Sequence, residues 1–264
     1  MLLALAFLAG CTQYDLNPTQ DPATGPDDTA IAQDTAPPED TAPPGGATEF
    51  LYAQTGTTLY AVDPSTYALT EIGRFSLRDG SDPPSITDLA VDGEGRMFAV
   101  STWQTFEVDP QTVRLTPLAR HDGDFTVALS FLADGTLIAG GDSTMWRVDT
   151  TTGALSWPTD VPAWAFSGDM VSLPDGYLYC AMGEPSQQTG DSSLVVLDGT
   201  DVMSTRPTGV GALFGVGWAQ DKLFGFSHEG DIYTIDPHTG RATRVASPGL
   251  PFGGAATNPW RWSN

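Results

Sequence analysis

A short phrase that ends in aspartate occurs five times along this chain and constrains its fold more than any other feature. In each copy apolar residues alternate with small or polar ones: 59–63, 105–109, 145–149, 194–198 and 231–236. This period of two is typical of β-strands. Proline, threonine and glycine follow the aspartate in most copies, and these residues favour turns. Each phrase therefore predicts a hairpin whose second strand lies at 68–73, 115–119, 154–158, 202–208 or 242–246.

The spacing of the repeats predicts the architecture. The five anchoring aspartates follow one another at intervals of 46, 40, 49 and 38 residues: Asp63, Asp109, Asp149, Asp198 and Asp236. Between anchors lie two more strand-like runs separated by turn residues, such as 86–91 and 97–101. A period near forty with four short strands is the signature of a propeller blade. The sequence thus predicts an all-β fold, a five-bladed β-propeller of four-stranded antiparallel blades.

The two ends of the repeat region predict how the ring closes. The first repeat opens at 50–53, which corresponds to the second strand of the other repeats. The segment 253–259 resembles a first strand with nothing after it. We expect this C-terminal strand to pair with the first blade, because closure removes the sheet edges that an open ring would expose.

The N-terminus has the character of a secretion signal. Residues 1–10 are almost wholly apolar, but they are too few to cross a bilayer as a helix. Leu8-Ala9-Gly10-Cys11 resembles the lipobox of bacterial lipoproteins, although no lysine or arginine follows Met1. The resemblance implies a signal peptide at 1–10, lipidation of Cys11 and a membrane anchor. The alternative is an apolar N-terminus followed by an ordinary cysteine.

Residues 11–48 differ in composition from the remainder of the chain. They are rich in proline, threonine, alanine and aspartate and contain neither lysine nor arginine. Such a segment buries little apolar surface and favours an extended, solvated backbone. We interpret it as a disordered acidic tether, and the propeller domain then occupies 49–264. Two alternatives stay open, namely that the Pro-rich phrases are themselves a ligand or that their threonines are glycosylated.

The charge of the chain excludes one class of partner. It has 33 acidic and 11 basic residues, and eight of the acids precede Phe50. The propeller region is therefore still strongly acidic, which argues against binding nucleic acid or an anionic membrane surface by electrostatics. Cys180 lies in a predicted strand without metal-ligand spacing around it and is interpreted as a buried thiol.

Candidate site residues come from the innermost strand of each repeat. Aligning the repeats places one residue of each at an equivalent point near the central channel: Asp88, Ala128, Asp169, Phe214 and Gly253. Asp88 and Asp169 could hold a cation, act as an acid and base pair, or form a hydrogen-bonded structural pair. The long connections on the same face add Trp164 and His121. The predicted ligand-binding set is Asp88, Asp169, Phe214, Trp164 and His121.

No metal site or cofactor is predicted. The run His121-Asp122-Gly123-Asp124 lacks the oxygen spacing of an EF-hand loop, so calcium is only a weak possibility. No nucleophile elbow, zinc-protease motif or phosphate loop occurs. Among the tryptophans, Trp103, Trp164, Trp260 and Trp262 fall outside the most strand-like runs and could stack on sugar or peptide. Trp146, Trp157 and Trp218 lie within predicted strands, and we expect them to pack between blades.

Several phrases resemble a known group of propellers. The runs 59–64, 174–179 and 232–240 are similar to blades of the NHL, PQQ-like and YVTN type of bacterial propeller, and the likeness spans 50–262. It implies the fold, whereas members of that group differ in activity. The resulting hypothesis is a monomeric lipoprotein anchored to the outer membrane, periplasmic or surface-exposed. It would bind a protein or glycan at the cell envelope. The alternative is a hydrolase or lyase that uses Asp88 and Asp169 with a bound cation.

Overall fold

The computed structural model describes residues 51–183 and 191–257. The predicted signal peptide at 1–10, the tether at 11–48 and the lipidation of Cys11 lie outside these residues. So do Trp260 and Trp262. The described part of the chain is all β-structure and contains no helix. Accordingly, it offers no helical segment that could cross a bilayer.

The strands form five antiparallel sheets arranged as the blades of a β-propeller. The first blade contains β1 (Leu51–Thr55), β2 (Thr58–Val62) and β3 (Leu69–Arg74). A short additional strand of two residues, β4 (Ser76–Leu77), runs parallel to the outer strand of the second blade. The second blade contains β5 (Ile86–Val91), β6 (Met97–Ser101), β7 (Gln104–Val108) and β8 (Arg114–Arg120). The third contains β9 (Ala128–Phe131), β10 (Leu137–Gly141), β11 (Thr144–Val148) and β12 (Leu155–Asp160).

The remaining blades repeat this order. The fourth contains β13 (Ala165–Ser172), β14 (Leu178–Gly183), β15 (Asp191–Asp198) and β16 (Asp201–Gly211). The fifth contains β17 (Leu213–Ala219), β18 (Lys222–Ser227), β19 (Ile232–Ile235) and β20 (Ala242–Ala246). The last strand, β21 (Phe252–Thr257), belongs to the first blade. The predicted fold class and blade number are confirmed.

The ring closes through the predicted clasp. Strand β21 pairs antiparallel with β1, and Leu51 lies opposite Thr257 while Ala53 lies opposite Ala255. The first blade therefore combines strands from both ends of the folded region, in the sheet order β21-β1-β2-β3. This pairing covers the edge of β1, which would otherwise present free N–H and C=O groups.

Four of the five anchoring aspartates cap the turn that follows them. Asp63 Oδ1 accepts the amides of Ser65 at 2.8 Å and Thr66 at 3.1 Å. Asp109, Asp149 and Asp236 each accept two amides in the same way. The Ser65 hydroxyl, which also donates to Asp63 Oδ1, and these amides favour the ionised form, so the pKa of all four carboxyl groups is lowered. Aspartate recurs because its short side chain can make this local turn.

The apolar core lies between neighbouring blades. The clusters join residues of adjacent sheets, so that Leu59 of the first blade packs with Phe106 and Leu115 of the second. The innermost strands β5, β9, β13, β17 and β21 surround the central channel and contact one another around it. Side chains on these strands meet at the axis, which is where the candidate aspartates lie.

Candidate functional site

The two candidate aspartates meet in the channel. Asp88 lies on β5 and Asp169 on β13, so they come from the second and fourth blades. Both are fully buried, with 0% exposure. Their carboxyl groups lie close enough across the channel to shift each other's pKa. The sequence alignment that placed both residues on inner strands is confirmed, and their proximity agrees with a paired arrangement.

Each carboxyl oxygen of this pair accepts at least one hydrogen bond from a backbone amide. Asp88 Oδ1 accepts the amide of Leu89 at 2.8 Å, and Oδ2 accepts that of Leu129 at 2.6 Å. Asp169 Oδ1 accepts the amide of Met170 at 2.5 Å. Its Oδ2 accepts two amides, Val216 at 2.9 Å and Ala255 at 3.0 Å. The donors outside the aspartates' own strands belong to the inner strands β9, β17 and β21. The pair thus joins all five inner strands.

Burial controls the protonation of the pair. Desolvation raises the pKa of Asp88 well above its ordinary value, and the charge of Asp169 raises it further. Desolvation also raises the pKa of Asp169, to about 7, although the amides and Asp88 oppose this shift. Like charges at short distance in a buried site cannot both ionise cheaply. The geometry therefore supports a pair that shares protons near neutral pH.

The channel around the aspartates is closely filled. The space lined by the inner strands beside the pair measures about 20 Å³. At Gly254 on β21 there is no room for a Cβ atom, because Asp88 Oδ1 and Gln54 Nε2 lie against that face. Neither carboxyl group is open to a ligand from the solvent. This arrangement favours the structural interpretation of the pair over the cation site and the acid–base pair.

The other predicted site residues do not form one cluster with the aspartates. His121 is buried, and its Nε2 lies 2.8 Å from Thr105 Oγ1. Desolvation lowers the pKa of its imidazole. Trp164 is half-buried against the core between the third and fourth blades. Phe214 is half-buried with its ring 5.3 Å from that of His228.

A larger surface cavity than this channel space lies elsewhere, between the third and fourth blades. This inter-blade groove has a volume of about 660 Å³, within the range of ligand-binding sites. Its floor is apolar: Leu132, Ile138, Met145, Trp146, Leu178 and Leu197. Polar groups at its margin include Asp134, Arg147 and Thr159. The groove was not predicted, since its walls come from strands of two different repeats.

Trp157 stands at the margin of the groove and is 76% exposed. The prediction that it packs between blades is therefore wrong. Between Met145 and Arg147 the register of β11 and β12 shifts, and Trp157 adopts a φ of 54°. Such a φ is uncommon outside glycine. The bulge turns the indole outward. Pro158 could have indicated this bulge in the sequence, because proline within a strand marks an edge or a bulge.

Trp157 also lines a second, more open concavity of about 360 Å³. The same indole therefore belongs to two concave surfaces. By contrast, Trp146 is buried and Trp218 half-buried in the core, where packing was predicted. Trp103 is 46% exposed and contacts Phe125 edge to face, with ring centroids 5.8 Å apart. Trp157 is therefore the most exposed aromatic side chain in the described residues.

Within 51–183 and 191–257, no three His, Cys, Asp or Glu side chains come together as a metal-binding group. Cys180 is buried on β14, as expected for a packed thiol. Burial raises the pKa of this thiol, and the charge of Asp169 raises it further. A thiol in this environment is a poor nucleophile.

Comparison with known proteins adds support for the fold. No protein-family model matches the chain, and no curated protein matches it. A solved nidogen/laminin complex is similar at a TM-score of 0.52 and 12% identity, covering 79% of this chain and 97% of that one. This likeness supports the propeller fold alone. A Bacteroides caccae protein of unknown function matches at a TM-score of 0.46 and 11% identity, covering 75% of this chain and 73% of that one.

Proposed function

We propose that this chain is a ligand-binding module, a propeller lipoprotein held at the cell envelope through Cys11. One observation carries the binding role. An apolar groove of about 660 Å³ lies beside an exposed tryptophan. Exposed aromatic side chains at the margin of an apolar groove are typical of recognition surfaces. The propeller supplies a rigid support for such a surface.

The channel carboxylates favour binding over catalysis. A hydrolase or lyase that works through Asp88 and Asp169 with a bound cation would need at least one open carboxyl oxygen. Both side chains have 0% exposure, and all four of their oxygen atoms accept backbone amides. The pair is better suited to holding the inner strands together than to contacting a substrate.

Binding can be tested by thermal shift on the full chain carrying Cys11→Ser, which removes any lipid. The ligand panel contains neutral oligosaccharides and short peptides of positive, negative and zero charge. We expect at least one ligand to raise the melting temperature of this protein and not of the further variant Trp157→Ala. Trp103→Ala is the matched control, because it removes another exposed indole at a distant turn. A panel without any Trp157-dependent shift contradicts the proposal.

The membrane anchor needs a separate experiment. The proposal predicts that cells expressing the chain incorporate labelled palmitate into it and that the protein fractionates with the outer membrane. Cys11→Ser should abolish both results and release the protein in soluble form. Incorporation of label into the Cys11→Ser variant would contradict lipidation at this cysteine. The monomeric state is checked on the same soluble variant by sedimentation.

A further inference from the structure

The chemistry of the inter-blade groove indicates what kind of ligand it takes, provided that the groove is the binding site. The floor described above is aliphatic and aromatic, so it suits a large apolar side chain. A groove of about 660 Å³ has room for more than one such side chain. Burying an apolar side chain there contributes to binding in proportion to the area removed from water. The first requirement on the ligand is therefore an apolar anchor.

The margin of the groove is acidic. Asp134 itself lines the groove, and three further aspartates adjoin lining residues at the turns of the fourth blade: Asp175, Asp198 and Asp201. All four are exposed. Arg147 is the one basic side chain among the described lining residues, and its charge acts on Asp134. The local charge is therefore negative, in a chain whose net charge is −22.

The exposed indole adds a second preference for positive charge. A tryptophan ring attracts Lys or Arg side chains placed over its face more strongly than other aromatic rings do. Trp157 lines both the 660 Å³ groove and the concavity of about 360 Å³. Asp149 lines the second concavity and extends the acidic margin to it.

We propose that the groove binds an extended segment of a partner protein in which a large apolar residue is flanked by lysine or arginine. The apolar side chain enters the floor between Trp146 and Leu178, and the flanking cations lie over Trp157 and beside Asp134 and Asp198. Charge complementarity raises the association rate and disfavours acidic segments. A neutral glycan can stack on the indole of Trp157. It has neither an apolar side chain to bury in the floor nor a positive charge to pair with the acidic margin.

The test uses the full chain with Cys11→Ser and a fluorescently labelled peptide, acetyl-Gly-Lys-Leu-Phe-Lys-Gly-amide, followed by fluorescence anisotropy. Two matched control peptides each test one requirement, the positive charge or the apolar anchor. One carries glutamate in place of both lysines, and the other carries serine in place of leucine and phenylalanine. We expect the lysine peptide to bind at least about tenfold more tightly than either, with an affinity that falls as salt is raised.

Variants assign the binding to the groove. Trp157→Ala should weaken the lysine peptide about tenfold or more, since exposed aromatic anchors dominate such interfaces. The double variant Asp134→Asn, Asp198→Asn should weaken it several-fold and flatten the salt dependence. Trp103→Ala should leave the affinity unchanged. Circular dichroism and the melting temperature verify that each variant is folded, which is expected because these side chains are exposed.

Two kinds of failure are distinguishable. If a neutral oligosaccharide or the glutamate peptide binds better than the lysine peptide, and Trp157→Ala abolishes that binding, the ligand class is wrong while the groove stands as the binding site. If the lysine peptide binds equally well to wild type and Trp157→Ala, the groove is not its site and the inference is overturned. If no ligand shows any dependence on Trp157, the proposed function fails with it.

Discussion

Replacing Asp169 by asparagine should lower the free energy of unfolding by about 1–3 kcal/mol at pH 5. Asparagine keeps one side-chain oxygen, which can still accept the amides of Val216 and Ala255. Its NH₂ group then faces the amide of Met170 in place of Oδ1. A buried amide without an acceptor costs about 1–3 kcal/mol. Alanine would leave all three amides unpaired, about 3–9 kcal/mol by the same reasoning, which is comparable with the whole stability of a typical domain.

The same substitution should change how stability depends on pH. Burial raises the pKa of both Asp88 and Asp169, so the folded protein keeps protons that the unfolded chain releases above about pH 4. This stabilisation is complete below the unfolded pKa and is lost as the pH rises towards the folded pKa. Each proton contributes at most about 1.4 kcal/mol per pH unit. The slope should therefore be up to about 2.7 kcal/mol per unit in wild type and about half of that in Asp169→Asn.

Urea unfolding between pH 5 and about pH 6.5, followed by tryptophan fluorescence, measures both quantities. Asp122→Asn is the control, because it removes an acid at an exposed turn and leaves the channel unchanged. General repulsion among the acidic side chains affects all three proteins similarly, so only the channel pair separates their slopes. Parallel curves for wild type and Asp169→Asn would refute the conclusion that the buried pair holds protons in the folded state.

Three further outcomes follow from the structure. Gly254→Ala should destabilise the protein by about 1–3 kcal/mol, because its Cβ would overlap Asp88, whereas Gly93→Ala meets no atom within 4 Å and should be neutral in the same urea assay. In the Cys11→Ser protein, buried Cys180 should react with a thiol reagent only as fast as the chain unfolds, and rapid labelling of the folded protein would contradict its burial. Stability should also fall as the pH is lowered below about 4, because the capping aspartates have lowered pKa values and lose their amide hydrogen bonds on protonation. Urea titrations should therefore show a maximum of the free energy of unfolding near about pH 4.

The repeated hairpins made the fold predictable from the sequence. Strand alternation and turn residues are local properties, and five copies of them define the blade, the blade number and the missing strand that β21 supplies. The anchoring aspartates could also be found in this way. Their role in accepting amides is a consequence of short-range geometry that any Asp-x-Thr turn can adopt, as at Asp149.

The site was less predictable because it depends on contacts between repeats. Alignment placed Asp88 and Asp169 on equivalent inner strands, but only the closed ring brings these side chains of two non-adjacent blades close together. The groove arises in the same way, from walls that are far apart in sequence. The prediction that Trp157 packs between blades was wrong for a different reason. Side chains alternate along a strand, so one extra residue in a bulge reverses the face on which the indole lies.

The shared first blade also affects how this protein acquires its structure. Strand β1 lies at the start of the folded region and its partner β21 at the end, with Leu51 paired to Thr257. At ordinary synthesis rates of about 5–20 residues per second, β1 waits roughly ten seconds or longer for this partner to be made. During that interval its hydrogen-bonding edge is available to any other extended chain. A nascent chain that stalls before Phe252 therefore presents a strand-acceptor site, which chaperones would have to cover until release.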